Sequence, residues 1–178
     1  MQTSKRRRGN CSECEITITL TANVVLREAV TADAHDLANL IRTAFRELAS
    51  IAPQIPATVQ STESVYEKLE SSQGFVAEIS GVPVGCAFCE RRSNPDHLYL
   101  SRLAVLQAYR GRGIARRLIA RVENEARSHQ VRTVRLDTRL CLTDNIALYQ
   151  RLGYHIYGYA RHPECAEPII VNFEKDLP

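Results

Sequence analysis

The feature that most constrains the fold is a change of hydrophobic period near residue 110. Before it, "HLYLSRLAV" (97–105) is rich in residues that favour strands. After it, apolar residues recur every three or four positions, which predicts an amphipathic helix; they are Ile114, Leu118, Ile119, Val122 and Ala126. Between them, "YRGRG" alternates glycine with arginine. A strand, a glycine turn and a helix in this order bring free N–H groups and the positive end of a helix dipole together, which predicts an anion site.

The glycine turn has alternative interpretations. Gly111 and Gly113 match the first two glycines of a dinucleotide-binding fingerprint, but Arg116 stands at the third position. The Gly-Lys-Ser/Thr ending of a nucleotide phosphate loop is absent from this turn. A solvated basic helix start, with glycines that only turn the chain, stays open. The turn alone therefore favours an anion without identifying it.

The rest of the sequence predicts one mixed α/β domain over residues 23–178, after a basic extension over residues 1–22 in which Ile16, Ile18 and Leu20 could form an edge strand. The predicted strands are 24–30, 74–80, 82–91, 97–105, 132–138, 154–161 and 169–177. Predicted helices run from Thr31 or Asp33 to Leu48, from Ser61 or Thr62 to about Leu69, from Arg110 or Gly111 to about Gln130, and over "TDNIALYQRLG" (143–153). This order predicts a single sheet with helices on both faces.

Length, charge and cysteine content limit the number of domains and the kinds of partner that we expect. With 178 residues, 44% of them hydrophobic, the chain suits one core. Its net charge of +3, from 23 basic and 20 acidic residues, is too mild for a general nucleic-acid binder, and we expect neither a nucleic-acid nor a membrane partner. Cys86 and Cys89 lie three apart on a predicted strand, so they point to opposite faces. They are predicted to be buried free thiols without a metal, in a reducing cytoplasm.

Two segments carry a family resemblance. "RLAVLQAYRGRGIARRLI" resembles the signature segment of the GNAT superfamily of acyl-coenzyme A-dependent N-acyltransferases, whose motif Arg/Gln-x-x-Gly-x-Gly/Ala is met by Arg110, Gly113 and Ala115. "NIALYQRLGY" is similar to the family's last helix. The resemblance covers about residues 24–176. It implies a sheet of about six to seven strands, mostly antiparallel with a central splayed parallel pair. It also implies direct transfer of an acetyl group from acetyl-coenzyme A to a primary amine of a small molecule or protein, without a metal.

The resemblance also implies which residues bind the coenzyme. In the family, the strand before the turn bulges and offers its backbone to the pantetheine arm, while the pyrophosphate rests on the turn. The implied binding residues are Leu103, Ala104, Val105, Arg110, Gly111, Arg112, Gly113, Ile114, Ala115 and Arg116. Asn145 is a further coenzyme-binding candidate, although its position suits helix capping equally.

Catalytic candidates follow from the same match. Tyr149 corresponds to the family's general acid, and an ordinary phenol is protonated at neutral pH, although a packing aromatic is the alternative. The general base stays open, because Tyr99 and Ser101 stand where related chains often carry a carboxylate or histidine. Tyr99 is retained as a catalytic candidate. Substitutes for the base are His97, Asp96 and Glu90, or the amine arrives already neutral.

Other functions and details remain open at this point. A sensor that binds acyl-coenzyme A without turnover is one alternative, and a nucleic-acid-binding protein using Lys5 to Arg8 and the Arg110 cluster is another. The loops 47–64 and 159–170 are expected to select the acceptor. Carboxylates in these loops and the adjoining helix could attract a cationic amine or form solvated surface; they are Glu63, Glu67, Glu164 and Glu167. The sequence also leaves open whether the acyl group is acetyl or longer, and whether the protein forms a homodimer.

Overall fold

The described residues form a single sheet of seven strands in the order β1-β2-β3-β4-β5-β7-β6. A computed structural model describes residues 23–48, 60–91, 96–161 and 168–178. The strands are β1 Val24–Glu28, β2 Gln73–Ile79, β3 Val82–Glu90, β4 His97–Val105, β5 Thr133–Arg139, β6 His155–Arg161 and β7 Pro168–Asp176. All neighbouring pairs are antiparallel except β4 and β5, which are parallel. The predicted fold class, with one central parallel pair, is therefore confirmed.

Within the ranges just given, four α-helices cover the sheet, namely α1 Ala34–Arg46, α2 Thr62–Ser71, α3 Ile114–Ser128 and α4 Thr143–Arg151. Short 3₁₀ turns precede α1 at Thr31–Asp33 and α3 at Gln107–Tyr109. Ser61 caps α2 as predicted, because its Oγ accepts the Ser64 N–H at 3.0 Å. Gly153 follows α4 with a φ of 87°, the left-handed conformation that ends helices.

The core has two parts, one on each face of the sheet. One part packs α3 and the α4 residue Tyr149 against side chains such as Phe75 and Phe173. The other packs α1 and Val65 of α2 against Val76, Cys86 and Phe88, among others. Helices therefore cover both faces, as predicted. Cys86 and Cys89 are free and buried in different parts of the core, which confirms that they point to opposite faces.

The predicted start of α3 is wrong by three or four residues. The helix begins at Ile114 instead of Arg110 or Gly111, because Gly111 and Gly113 adopt left-handed φ values of 75° and 74°. The hydrophobic period alone does not reveal this break.

The first helix also differs from its prediction. It ends at Arg46 instead of Leu48, and the Asp33 side chain does not cap it. The Asp33 carboxylate instead accepts hydrogen bonds from Arg27 and from the Val30 N–H. The predicted edge strand at Ile16, Ile18 and Leu20, and parts of both expected acceptor loops, lie outside the described residues. Among the helices that are described, none is long and apolar enough to cross a membrane.

Candidate active site

The parallel strands β4 and β5 separate partway along their length. They pair at only three positions, His97 with Thr133, Leu98 with Val134 and Tyr99 with Arg135. Beyond Tyr99, β4 continues through six more residues to Val105 and does not pair with β5 again. Its backbone on that side therefore faces a cleft between the strands, as the expected splayed pair requires.

A β-bulge lies in β4 beside this opening. On β3, Cys86 opposes Ala104 and Phe88 opposes Ser101, so Arg102 and Leu103 together stand opposite one residue. Arg102 has a φ of 49°, a left-handed conformation that is uncommon for a residue with a side chain. The bulge interrupts the alternation of side chains, so consecutive residues of β4 line the same cleft.

A first cavity, of about 500 Å³, lies at the glycine turn. Its walls come from the end of α1, the end of β4, the turn, the start of α3, and α4 along its length. Most of the predicted coenzyme-binding residues line it, namely Leu103, Ala104, Val105, Arg110, Gly111, Gly113, Ile114, Ala115, Arg116 and Asn145. Arg112 does not line it; the guanidinium carbon of Arg112 lies 5.3 Å from the centre of the Tyr109 ring.

The glycine turn leaves the start of α3 accessible. Gly113 is the N-cap residue, and its carbonyl accepts the Arg117 N–H at 3.1 Å. No side chain in the described ranges caps the helix, and an added Cβ on Gly111 or Gly113 would meet no atom within 4 Å. The first-turn amides of a 15-residue helix therefore border open space, where the helix dipole favours an anion.

Arg110 ties the turn to α1. Its Nε donates to the Val105 carbonyl at 3.1 Å, and its Nη2 lies 3.3 Å from the Ala44 carbonyl and 2.9 Å from the Glu47 carboxylate. Arg110 therefore carries both a structural role and a position in the cavity wall.

The second cavity, of about 420 Å³, lies between the separated strands. It is lined by Phe45, Lys68, Glu90, Tyr99, Leu100, Ser101, Arg102, Leu103, Leu136, Asp137, Thr138, Arg139, Leu142, Asn145 and Tyr149. It shares five lining residues with the first cavity, which are Phe45, Leu103, Leu142, Asn145 and Tyr149. A molecule in each cavity could therefore meet the other beside Tyr149.

Tyr149 is packed against two aromatic rings at this junction. Its side chain is buried, with ring-centre distances of 6.2 Å to Tyr154 and 5.6 Å to Phe173. Burial, and then the negative charge of Asp137, raise the pKa of the Tyr149 phenol above its ordinary value. The phenol consequently keeps its proton throughout the physiological pH range. Nearby, the Asn145 side-chain nitrogen donates to Thr138 Oγ1 at 3.4 Å, and it caps no helix.

The candidate general bases differ in whether their residues line a cavity. Glu90 lines the second cavity and forms an ion pair with Lys68, whereas Asp96 and His97 line neither cavity. Tyr99 also lines the second cavity and stands opposite Glu90 in the β3–β4 register. In the described part of the chain, no group of three or more His, Cys, Asp or Glu residues could hold a metal ion.

Several cavity residues were not identified from the sequence, namely Lys68, Arg102, Asp137, Thr138 and Arg139. Asp137 and Thr138 line the cavity because the separation of β4 and β5 exposes the end of β5. The only sequence signal for them was their position late in a strand expected to splay from its neighbour.

Comparisons with known proteins agree with this architecture. The acetyltransferase (GNAT) family model matches residues 34–154. A protein from Azospirillum brasilense named IAA acetyltransferase is 32% identical over 103 residues, which cover 58% of this chain and 67% of that protein.

Solved structures share the fold at lower identity. The ribosomal-protein-S18-alanine N-acetyltransferase from Escherichia coli superposes with a TM-score of 0.72 at 18% identity, over 87% of this chain and 94% of its own. The PaiA N-acetyltransferase from Thermoplasma acidophilum, solved with coenzyme A, gives a TM-score of 0.70 at 14% identity, over 84% and 98% of the two chains. Because the family model spans more than half of the sequence, the chain belongs to the acetyltransferase (GNAT) family and is an N-acetyltransferase of that type.

Proposed function

We propose that this enzyme transfers an acetyl group from acetyl-coenzyme A to a primary amine of a small molecule or protein. The observation that carries the proposal is the junction of two cavities at Tyr149, one of which contains the glycine turn. The name of the Azospirillum brasilense relative and the coenzyme A complex of the Thermoplasma acidophilum structure support it. The first cavity is assigned to the coenzyme and the second to the amine.

The residues of the first cavity fit the coenzyme. The amides from Gly111 to Ala115 would receive the diphosphate, because they border open space at the positive end of α3. Arg110 and Arg116 in the cavity wall add positive charge. The pantetheine arm would lie along β4 from Leu103 to Val105, where the strand has no partner in β5.

Acetyl-coenzyme A supplies the thioester, and the protein supplies a proton and a polar environment. The amine attacks the thioester carbonyl directly, and Tyr149 donates its proton to the departing thiolate. The raised pKa of the buried Tyr149 phenol keeps that proton available. The Val105 amide is the proposed donor to the carbonyl oxygen, and Tyr99 is the proposed catalytic group on the acceptor side.

Free-thiol release with a panel of primary amines tests the proposal. The unmodified protein should release thiol only when an amine is present. Tyr149→Phe should lower kcat by about 100-fold or more, the ordinary contribution of a general acid. Tyr157→Phe is the matched control, because Tyr157 is exposed on β6 and lines neither cavity.

The outcomes separate enzyme from sensor. A melting temperature raised by coenzyme A without thiol release from any amine would instead indicate a binding module. A protein whose melting coenzyme A does not change, and which consumes no thioester, would contradict the whole assignment.

A further inference from the structure

The amine cavity contains an unusual balance of charges. Lys68 and Glu90 form an ion pair in its wall and so largely neutralise each other. Arg102, Arg139 and Asp137 also line the cavity. The cavity wall therefore carries three basic side chains, Lys68, Arg102 and Arg139, and two acidic side chains, Glu90 and Asp137, an excess of one positive charge. A simple cationic amine would not require this excess of positive charge.

Arg102 is the cation whose surroundings best fit an incoming anion. It is half-buried, its Nε donates to the neutral Gln60 Oε1 at 2.9 Å, and its guanidinium carbon lies 5.7 Å from the centre of the Phe88 ring. It forms no salt bridge with a carboxylate of the described residues. Burial lowers the pKa of Arg102, because it removes water from the guanidinium, although the charge of Glu90 acts in the opposite direction. A carboxylate would replace the lost hydration.

A second observation points to the same place. Ser101, the neighbour of Arg102 on the bulge, also lines the cavity. Its hydroxyl oxygen is buried and has no hydrogen-bond partner among the residues that are described. Buried hydroxyl groups normally find a partner. A carboxylate that binds Arg102 could accept this hydrogen bond too.

The negative charge lies toward the reacting end of the cavity. Asp137 precedes Thr138 on β5. Thr138 Oγ1 accepts a hydrogen bond from the Asn145 side chain, which lies one turn before Tyr149 on α4. Arg102 is on β4, the opposite strand of the cleft. The β4 wall therefore offers the Arg102 cation at the bulge, and the β5 wall offers Asp137 near the proposed proton donor together with Arg139. This arrangement complements a molecule that carries both a carboxylate and an amine.

We propose that the acceptor is a small amino acid-like molecule whose carboxylate binds Arg102 and Ser101 while its amino group faces Asp137 and Tyr149. The inference rests on the proposed function and deepens it. The cavity volume of about 420 Å³ suits a small molecule. On transfer, a nitrogen–carbon bond forms and the carbon–sulfur bond breaks. The ammonium group first gives one proton to solvent, which leaves the neutral amine that attacks. The thiolate then takes a proton from Tyr149, and the nitrogen gives its second proton to the tyrosinate.

Matched amines test the inference. L-amino acids and short ω-amino acids are each compared with their primary amides, which keep the amine and remove the negative charge. Thiol release should give kcat/KM values about 10- to 100-fold higher for the best acids than for their amides, the range of a hydrogen bond to a charged group. Arg102→Gln should abolish this preference by raising KM for the acids, with little change for the amides. Arg102→Lys should restore part of it.

Controls separate binding from folding. Arg91→Gln removes one positive charge from an exposed residue that lines neither cavity, and it should keep the preference. The rise in melting temperature with coenzyme A should be the same in Arg102→Gln as in the unmodified protein. An Arg102→Gln protein that no longer binds coenzyme A would show only a folding defect, so the acid–amide comparison in the unmodified protein and in Arg102→Lys then decides.

Failure of the inference differs from failure of the proposed function. Equal turnover of acids and amides would overturn the anionic subsite while leaving the acetyltransferase intact. If no amine is acetylated, the proposed function fails, and calorimetric titration of the same acids and amides into coenzyme A-loaded protein replaces turnover. Binding of acids only, lost in Arg102→Gln, would support the subsite, whereas equal or absent binding would overturn it.

Discussion

Tyr99 and Arg135 form the last paired position of the parallel ladder between β4 and β5. The β4 residues assigned to the coenzyme, Leu103, Ala104 and Val105, all lie beyond this position. The cleft therefore results from where the pairing stops, and the bulge at Arg102 and Leu103 then shapes its wall.

Activity should persist into alkaline pH if Tyr149 is the proton donor. A general acid must be protonated, so its contribution is lost as pH rises through its pKa. Because burial raises the pKa of Tyr149 above the ordinary value of 10.0, we expect no loss of kcat from this group up to about pH 10. The kcat–pH profile with a saturating amine measures this. A fall in kcat centred near pH 9 that disappears in Tyr149→Phe would contradict the prediction.

Gly113→Ala should weaken both stability and coenzyme binding. Alanine at a φ of 74° costs about 1–2 kcal/mol, and relief of that strain would move the first amides of α3. We expect the Kd for coenzyme A, measured by calorimetry, to rise by about tenfold, equivalent to 1.4 kcal/mol. Gly158→Ala is the control, because Gly158 lies on β6 and its added Cβ would meet only the Asn172 side-chain nitrogen at 3.9 Å. Equal losses in both variants would argue against the turn.

Arg110→Gln and Arg112→Gln should affect coenzyme binding differently. Arg110 lines the first cavity and Arg112 does not, although the two are close in sequence. Because Arg110 is partly exposed, we expect only a three- to fivefold rise in the Kd for coenzyme A, on the scale of an exposed ion pair of roughly 1 kcal/mol. Arg112→Gln should leave the Kd nearly unchanged.

The Glu47→Gln variant tests why Arg110→Gln weakens the binding of coenzyme A. This change removes the ion pair with Arg110 but keeps the arginine charge. If Arg110 acts on the coenzyme, Glu47→Gln should not weaken binding. An equal loss of affinity in Glu47→Gln would mean that Arg110 acts only by tying the turn to α1.

Asp33 should stabilise the folded protein at neutral pH and lose this contribution in acid. Hydrogen bonds from Arg27 lower the pKa of Asp33 below its ordinary value of 3.8. A depressed carboxyl pKa stabilises the folded state fully above the unfolded pKa, and the contribution is lost as pH falls through the folded pKa. We expect Asp33→Asn to cost about 1 kcal/mol at pH 7, with the difference shrinking below about pH 4. Urea unfolding at pH 3 to 7 measures it.

Asp36→Asn is the control for this series, because Asp36 is exposed in the first turn of α1. Its effect on the free energy of unfolding should be smaller than that of Asp33→Asn at pH 7. A difference between Asp33→Asn and the unmodified protein that stays constant down to pH 3 would contradict the linkage.

The sequence predicted those parts of the fold that depend on local patterns. Residues that favour strands mark the segment from His97 to Val105, and Ser61 and Gly153 mark helix ends by their own chemistry. The segment that resembles the family motif led to the residues of the first cavity. These signals are all contained within short stretches of chain.

The amine cavity could not be predicted in the same way. The family resemblance implied a bulge in this strand, but it did not place two residues, Arg102 and Leu103, opposite one residue of β3. Lys68 and Asp137 come together from a helix and a strand far apart in sequence. Contacts of this kind depend on register and on where two strands part, which are properties of the assembled sheet.

Hydrogen–deuterium exchange of the amides from Gly111 to Arg116 tests the central claim most directly. Coenzyme A should slow exchange at these amides, whereas N-acetylcysteamine, which has the thiol end of the arm but no diphosphate, should not. Binding of coenzyme A, detected by calorimetry, without protection of these amides would contradict the proposed role of the glycine turn.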